Sequence, residues 1–324
     1  MKFNYFLYGV CALLLVIIAP ENRAQVIAEE FVVDHSPIID FEWSPDGDFL
    51  AVSDADEIQV IDMDEQEVVR AIPVSSQYIQ SIAWNVDGSL IAAYSLTQNA
   101  ILVFDVQTTE LTYRIEGDAR IKEQGNFLYV NDVIWNACGL FSINGSIDLF
   151  LWGDSEYLPE PLTLSGHRDV VINTAMSDDC QFVVTSATDH TMRIWSILSG
   201  ENILSLDGIR AFTVGDDRIT YISTENMVVE SAWSQESAHV LYALDPNEQV
   251  WFLDWSGDGD FLAFTTGDIT ILSVSPETAI VVTLSAEDRQ FEELRWNPSR
   301  PLLATADYSR VVSVWNLESA IEEG

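Results

Sequence analysis

Gly166-His167-Arg168-Asp169, Ser177-Asp178-Asp179, Ser186-Ala187-Thr188-Asp189 and Met192-Arg193-Ile194-Trp195 follow one another along a single stretch of the chain. A histidine ahead of one strand, hydroxyls in the next, an aspartate in a tight turn and a tryptophan closing a third have the offsets of one four-stranded antiparallel unit. Such a unit cannot stand alone. Its sheet exposes both faces, so the rest of the chain must supply copies to cover it.

The copies are there, in degraded form. A tryptophan or its substitute precedes a polar turn at Trp43-Ser44-Pro45-Asp46-Gly47, Trp84-Asn85-Val86-Asp87-Gly88, Trp135-Asn136-Ala137-Cys138-Gly139, Met176-Ser177-Asp178-Asp179-Cys180, Trp255-Ser256-Gly257-Asp258-Gly259 and Trp296-Asn297-Pro298-Ser299-Arg300. The gap from Met176 to Trp255 is nearly twice the usual step, and halving it lands on Val214-Gly215-Asp216-Asp217-Arg218. A weak unit is therefore expected there, the fifth of seven. The longer step from Trp84 to Trp135 is absorbed if Gly117 to Asn126 form a loop.

A second landmark agrees with the first. Ile61, Phe104, Trp152, Trp195, Trp233, Leu272 and Trp315 each fall where a third strand should end. Between the landmarks the runs are short, β-branched and alternating or wholly apolar, as in Phe49-Leu50-Ala51-Val52 and Ile101-Leu102-Val103-Phe104. No long amphipathic helix is legible outside the N-terminus.

Over about residues 25–318 these features resemble the WD40 repeat family. The resemblance implies an all-β, seven-bladed propeller. It also implies a buried hydrogen-bond chain through His167, Thr185 (or its neighbour Ser186), Asp189 and Trp195, in which each buried polar group finds a partner. The other units depart from the motif: Ser309 stands at the aspartate position of the last, and Gln98 with Phe104 in the second.

The two ends suggest how the ring closes. Only Glu318 to Gly324 follow Leu317, too short and acidic for another strand, so the last sheet lacks its outer strand. Val26 to Val33 read as a strand ahead of any complete unit, and pairing them with Ser313 to Trp315 would join the two ends of the repeat array. Residues 1–24 are a different object. Lys2 precedes the apolar run Phe3 to Ala19, and Pro20 to Ala24 follow, as in a secretory signal or an uncleaved anchor. Residues 25–324 then form one domain, secreted or otherwise extracytoplasmic, and any membrane anchoring is expected only through residues 1–24.

Charge narrows the partners. Fourteen Lys and Arg against 52 Asp and Glu leave a net charge of -38. With no basic patch to release counterions, nucleic acid and anionic membranes are excluded as partners, and self-repulsion favours a soluble monomer. The acidity reads first as a solvated surface, and in its sharper form as a face that recruits a basic partner. Cys138 and Cys180 fall in equivalent turns of adjacent units and read as free thiols, with a bridge as the alternative in an oxidising compartment.

Chemistry is sparse. The four histidines, His35, His167, His190 and His239, have no metal-ligand spacing, and neither a nucleophile elbow nor a phosphate loop occurs. No cofactor is expected. Asp254 with Gly257-Asp258-Gly259-Asp260 groups oxygen ligands as a calcium loop would, but the same run matches the ordinary turn Pro45-Asp46-Gly47-Asp48. The expectation is a non-catalytic scaffold that binds proteins or peptides on the rim carrying the blade-to-blade loops, with His35, Tyr78, Arg168, His190, Trp251 and Tyr308 as candidate contacts. The alternative is a ligand- or metal-binding propeller, conceivably an enzyme, that uses the central channel. Polar groups converging on a metal there would favour it.

Overall fold

The computed structural model describes residues 14–18, 24–33, 38–74, 77–117, 130–145, 147–154, 161–177, 179–209, 211–215, 218–232, 238–274, 279–284 and 291–322. They build seven antiparallel sheets arranged as the blades of a propeller. First strands, nearest the axis, are Asp40–Trp43, Ile79–Trp84, Val130–Asn136, Val171–Met176, Phe212–Val214, Leu253–Trp255 and Phe291–Trp296, for blades 1 to 7 in order. In blades 1 to 6 the chain then steps outward strand by strand. The weak fifth unit is a complete blade: Arg218–Ile222, Met227–Ala232 and Ala238–Ala243 complete the sheet begun by Phe212–Val214.

Ring closure follows the expected pairing. Ala24–Val33 takes the outer place in blade 7 against Val312–Asn316, with Phe31 opposite Val314 and Val33 opposite Val312. Leu14–Ile18 adds a fifth strand outside it, Leu14 opposite Ala28. After Leu317 the chain ends in a short helix, Glu318–Glu322. Among the described residues no helix is long and apolar enough to cross a membrane.

Burial explains the sequence pattern. Second and third strands are covered on both faces by neighbouring blades and so read as continuous apolar runs; Leu50, Ala51, Ile91, Ala92, Val183 and Val184 are each fully buried. The core is consequently a set of inter-blade layers. Ile58 and Ile72 of blade 1 pack with Trp84 and Ile91 of blade 2, and Phe141 and Leu151 of blade 3 pack with Val183 and Trp195 of blade 4. Outer strands face solvent on one side, as in the mostly exposed Glu67–Pro73.

The recurrent polar turn is a hydrogen-bonded device. Ser44 Oγ donates to Asp46 Oδ1 (2.6 Å), which also accepts the Asp48 amide, while the Phe49 amide donates back to Ser44 Oγ. The same geometry recurs at Ser177 with Asp179 and at Ser256 with Asp258. Gly47, Gly88 and Gly259 sit at φ of 77°, 72° and 74°, where a Cβ would be strained. The tryptophans before these turns are inter-blade staples: Trp43 Nε1 donates to the Arg295 carbonyl and Trp84 Nε1 to that of Glu42.

The structure corrects the free-thiol reading of Cys138 and Cys180. They form a disulfide between blades 3 and 4, with Cα atoms 5.8 Å apart. Both first turns lean onto one shared inter-blade layer, which brings the cysteines within bridging distance. Sequence gave the blades but not their separation. His35, Trp233, Asp178, Asp216, Asp217, residues 118–126 of the expected loop and the leader other than 14–18 lie outside the described residues.

Candidate interaction rim and central channel

His167 is 5% exposed and is held from both sides. Trp195 Nε1 donates to Thr185 Oγ1 (2.9 Å), and Thr185 lies 2.6 Å from His167 Nε2. Because that hydroxyl already accepts from the indole, it donates to Nε2. The remaining ring proton is then on Nδ1, which faces Asp189 Oδ2 at 3.2 Å. Ser186 Oγ has no hydrogen-bond partner among the described residues, so Thr185 is the member of the chain. Burial lowers the imidazole pKa against the pull of Asp189, favouring this neutral tautomer. Burial would also raise Asp189, but the Arg168 amide, the Thr191 amide and hydroxyl, and His167 outweigh it and bring the carboxyl down to about 2. Every polar side chain in it has a partner, with Asp189 also accepting from Arg168 and Thr191 outside the chain, an arrangement that satisfies the buried groups of this blade.

The candidate rim residues separate into groups. In an antiparallel blade the blade-to-blade loops and the turns between second and third strands fall at the same end. Trp251, 53% exposed, and Tyr308, 61% exposed, come together there in a cleft of 350 Å3 with Phe252, Ile39, Glu293 and Arg310. Arg168 and His190 stand exposed above the buried chain of blade 4, and Tyr78 projects between blades 1 and 2. Neither group lines the cleft.

Sequence reading raised the central channel as the alternative site but did not assign its lining residues. The first strands enclose a 520 Å3 space whose wall carries Glu42, Asp132, Asp254, Glu293 and Arg295, with Asp40 bonded at its edge. Three carboxylates tie one blade to the next. Asp40 accepts the Ile82 amide (2.8 Å), Asp254 the Trp296 amide (2.8 Å) and Asp132 the Thr174 hydroxyl (2.7 Å). Arg295 collects Glu293 at 2.8 Å, Glu42 at 3.0 Å and Asp40 at 3.6 Å.

Five acids around one guanidinium in a confined space are under electrostatic strain. Burial pushes Asp40 up to about 8 against the attraction of Arg295, with Glu293 and Glu42 adding to the rise. It also takes Glu42 to about 7 and Asp254 to about 6, and raises Asp132. The Glu42 side chain is 32% exposed, but to the channel and not the outer surface, so bulk screening is weak. Burial would lower Arg295; Glu42, Glu293, Asp40 and Asp132 together hold it well above its ordinary value. The signal for this wall was present in the sequence. Asp40, Asp132 and Glu293 stand three residues before the landmark tryptophans, and Glu42, Asp254 and Arg295 one before, on one face of a short strand.

The calcium reading of the sixth unit loses its ligand set. Asp254 belongs to the channel wall, and Asp258 is taken up by Ser256 and the Asp260 amide. Among the described residues no three His, Cys, Asp or Glu side chains are placed to hold one metal ion. The channel carboxylates converge on an arginine.

Comparison with known proteins agrees with the geometry. The family profile described as the anaphase-promoting complex subunit 4 WD40 domain matches residues 22–87 and 41–137, and that of the WD domain, G-beta repeat, matches residues 160–196. No curated protein matches the chain in sequence. Among solved structures, the β-propeller domain of Cps50 (Swd1) from Myceliophteria thermophila is similar at 14% identity and a TM-score of 0.69, over 88% of this chain and 98% of that one. A chain of the mitotic checkpoint complex is similar at 19% identity and a TM-score of 0.72, over 97% and 99%. At such identities the likeness is one of fold.

Proposed function

For a chain of WD40 repeats folded as a seven-bladed propeller, we propose a non-catalytic, extracytoplasmic interaction module that acts as a monomer and holds protein or peptide partners on the rim bearing Trp251 and Tyr308. The observation that carries this is the cleft itself. Two large aromatics more than half exposed, with Phe252 beside them, form a concavity in an otherwise charged surface, the composition that favours partner contact over bulk solvation. The propeller holds the cleft rigid, so little ordering entropy opposes binding. The resemblance to a chain of a multi-protein complex is consistent with protein partners. The compartment rests on the apolar leader and on the Cys138–Cys180 bridge, which oxidising surroundings preserve.

The test is capture with the full chain as bait on intact producing cells, comparing wild type with Trp251→Ala/Tyr308→Ala and with Val86→Ser on the opposite rim. The aromatic pair should lose a partner that Val86→Ser retains. Equal capture by all three, or recovery of the protein only from the cytosol, overturns the reading.

A further inference from the structure

We infer that the partner surface this cleft accepts is basic: a segment that seats an apolar side chain among Trp251, Phe252 and Tyr308 and directs lysine or arginine toward the channel mouth. The inference rests on the proposed use of the rim and adds the chemistry of the occupant.

Position comes first. Phe252 and Glu293 line both the cleft and the channel, so a segment lying in the cleft presents its next residue to the channel mouth. The charge there is unbalanced. Among the described residues Arg295 is the single cation beside Asp40, Glu42, Asp132, Asp254 and Glu293, and it is already in contact with Glu293, Glu42 and Asp40, which leaves Asp132 and Asp254 outside its ion pairs and the wall with more acids than cations. An arriving ammonium or guanidinium offsets the burial that raises Glu42 and Asp254, and at Glu42 also the repulsion from Asp254, Glu293 and Asp132. Trp251 and Tyr308 also offer π faces to a further cation of the same segment. Arg310, the one cation lining the cleft among the described residues, is engaged, its Nη1 donating to the Ile38 carbonyl. At long range the net charge of -38 accelerates approach of a basic partner and repels an acidic one.

Overall attraction must be separated from local recognition. The probe is a short fluorescent peptide of alternating lysine and leucine, with a glutamate–leucine peptide of equal length as its counterpart, titrated into the full chain at fixed ionic strength. The lysine peptide should bind, and affinity should fall about tenfold in Trp251→Ala/Tyr308→Ala and in Glu42→Gln/Glu293→Gln. It should fall less than about twofold in Glu201→Gln/Asp260→Asn, exposed acids of the opposite rim that change the charge equally. Equal loss in all three pairs means attraction by the whole surface and overturns the inference. So do preference for the glutamate peptide, absence of binding, and displacement by calcium at matched ionic strength with the aromatic pair without effect. If capture of a native partner still depends on Trp251 and Tyr308 while the peptides are not told apart by charge, the rim reading survives and this inference alone falls.

Discussion

Asp40→Asn should remove the loss of stability that rising pH causes at the channel wall. In the folded ring Asp40 is 7% exposed, and burial lifts its carboxyl to about 8 from the ordinary 3.8 of an aspartate. A folded-state pKa above the unfolded one means that folding favours the protonated acid. The contribution is therefore fully present below about pH 4 and is lost as pH rises to about 8. Each unit is worth about 1.4 kcal/mol, so ionisation costs up to about 6 kcal/mol at pH 8.5, an upper bound because the neighbouring acids titrate with it. Asparagine cannot ionise, but it replaces one of the two acceptors that serve the Phe41 and Ile82 amides with a donor. That exchange costs about 1–2 kcal/mol at any pH. The variant should thus be less stable than wild type at pH 4 and more stable at pH 8.5. Urea unfolding at both values, with Asp260→Asn as an exposed control, reads the crossover directly. Curves for wild type and Asp40→Asn that stay parallel across this range refute the reasoning.

Other perturbations probe other parts of the ring. Asp189→Ala removes the acceptor for His167 Nδ1 and the Arg168 amide and should cost about 1–3 kcal/mol in thermal or urea unfolding, with binding at the Trp251 cleft unchanged; a loss of binding at full stability would make Asp189 functional. A chain beginning at His35 lacks Ala24–Val33, exposes the Val312–Asn316 edge and should melt well below one beginning at Gln25, whereas equal melting temperatures count against ring closure by that strand. Cys138→Ser/Cys180→Ser opens a crosslink spanning 42 residues and should cost about 4 kcal/mol by chain entropy, read as a difference in unfolding midpoint that disappears when wild type is reduced.

Repeat spacing, turn chemistry and alternating hydrophobicity determined the blades, because each blade is a local object: its strands meet through short turns, and its polar capping residues lie within five positions of one another. That is why the degraded fifth unit was legible, whereas the chain through His167, Thr185, Asp189 and Trp195 was placed before any coordinates by the resemblance to the WD40 repeat family. Residues that meet only through the ring's curvature were not legible. Asp40 and Arg295 lie at opposite ends of the sequence yet 3.6 Å apart, and Trp251 shares a cleft with Tyr308 from the next blade. The Cys138–Cys180 bridge depends on the tilt of one blade against another. Local sequence records which face of a strand a side chain occupies; tertiary structure alone sets how far that face stands from its counterpart across the axis, and with it the dielectric and the charge the channel must sustain.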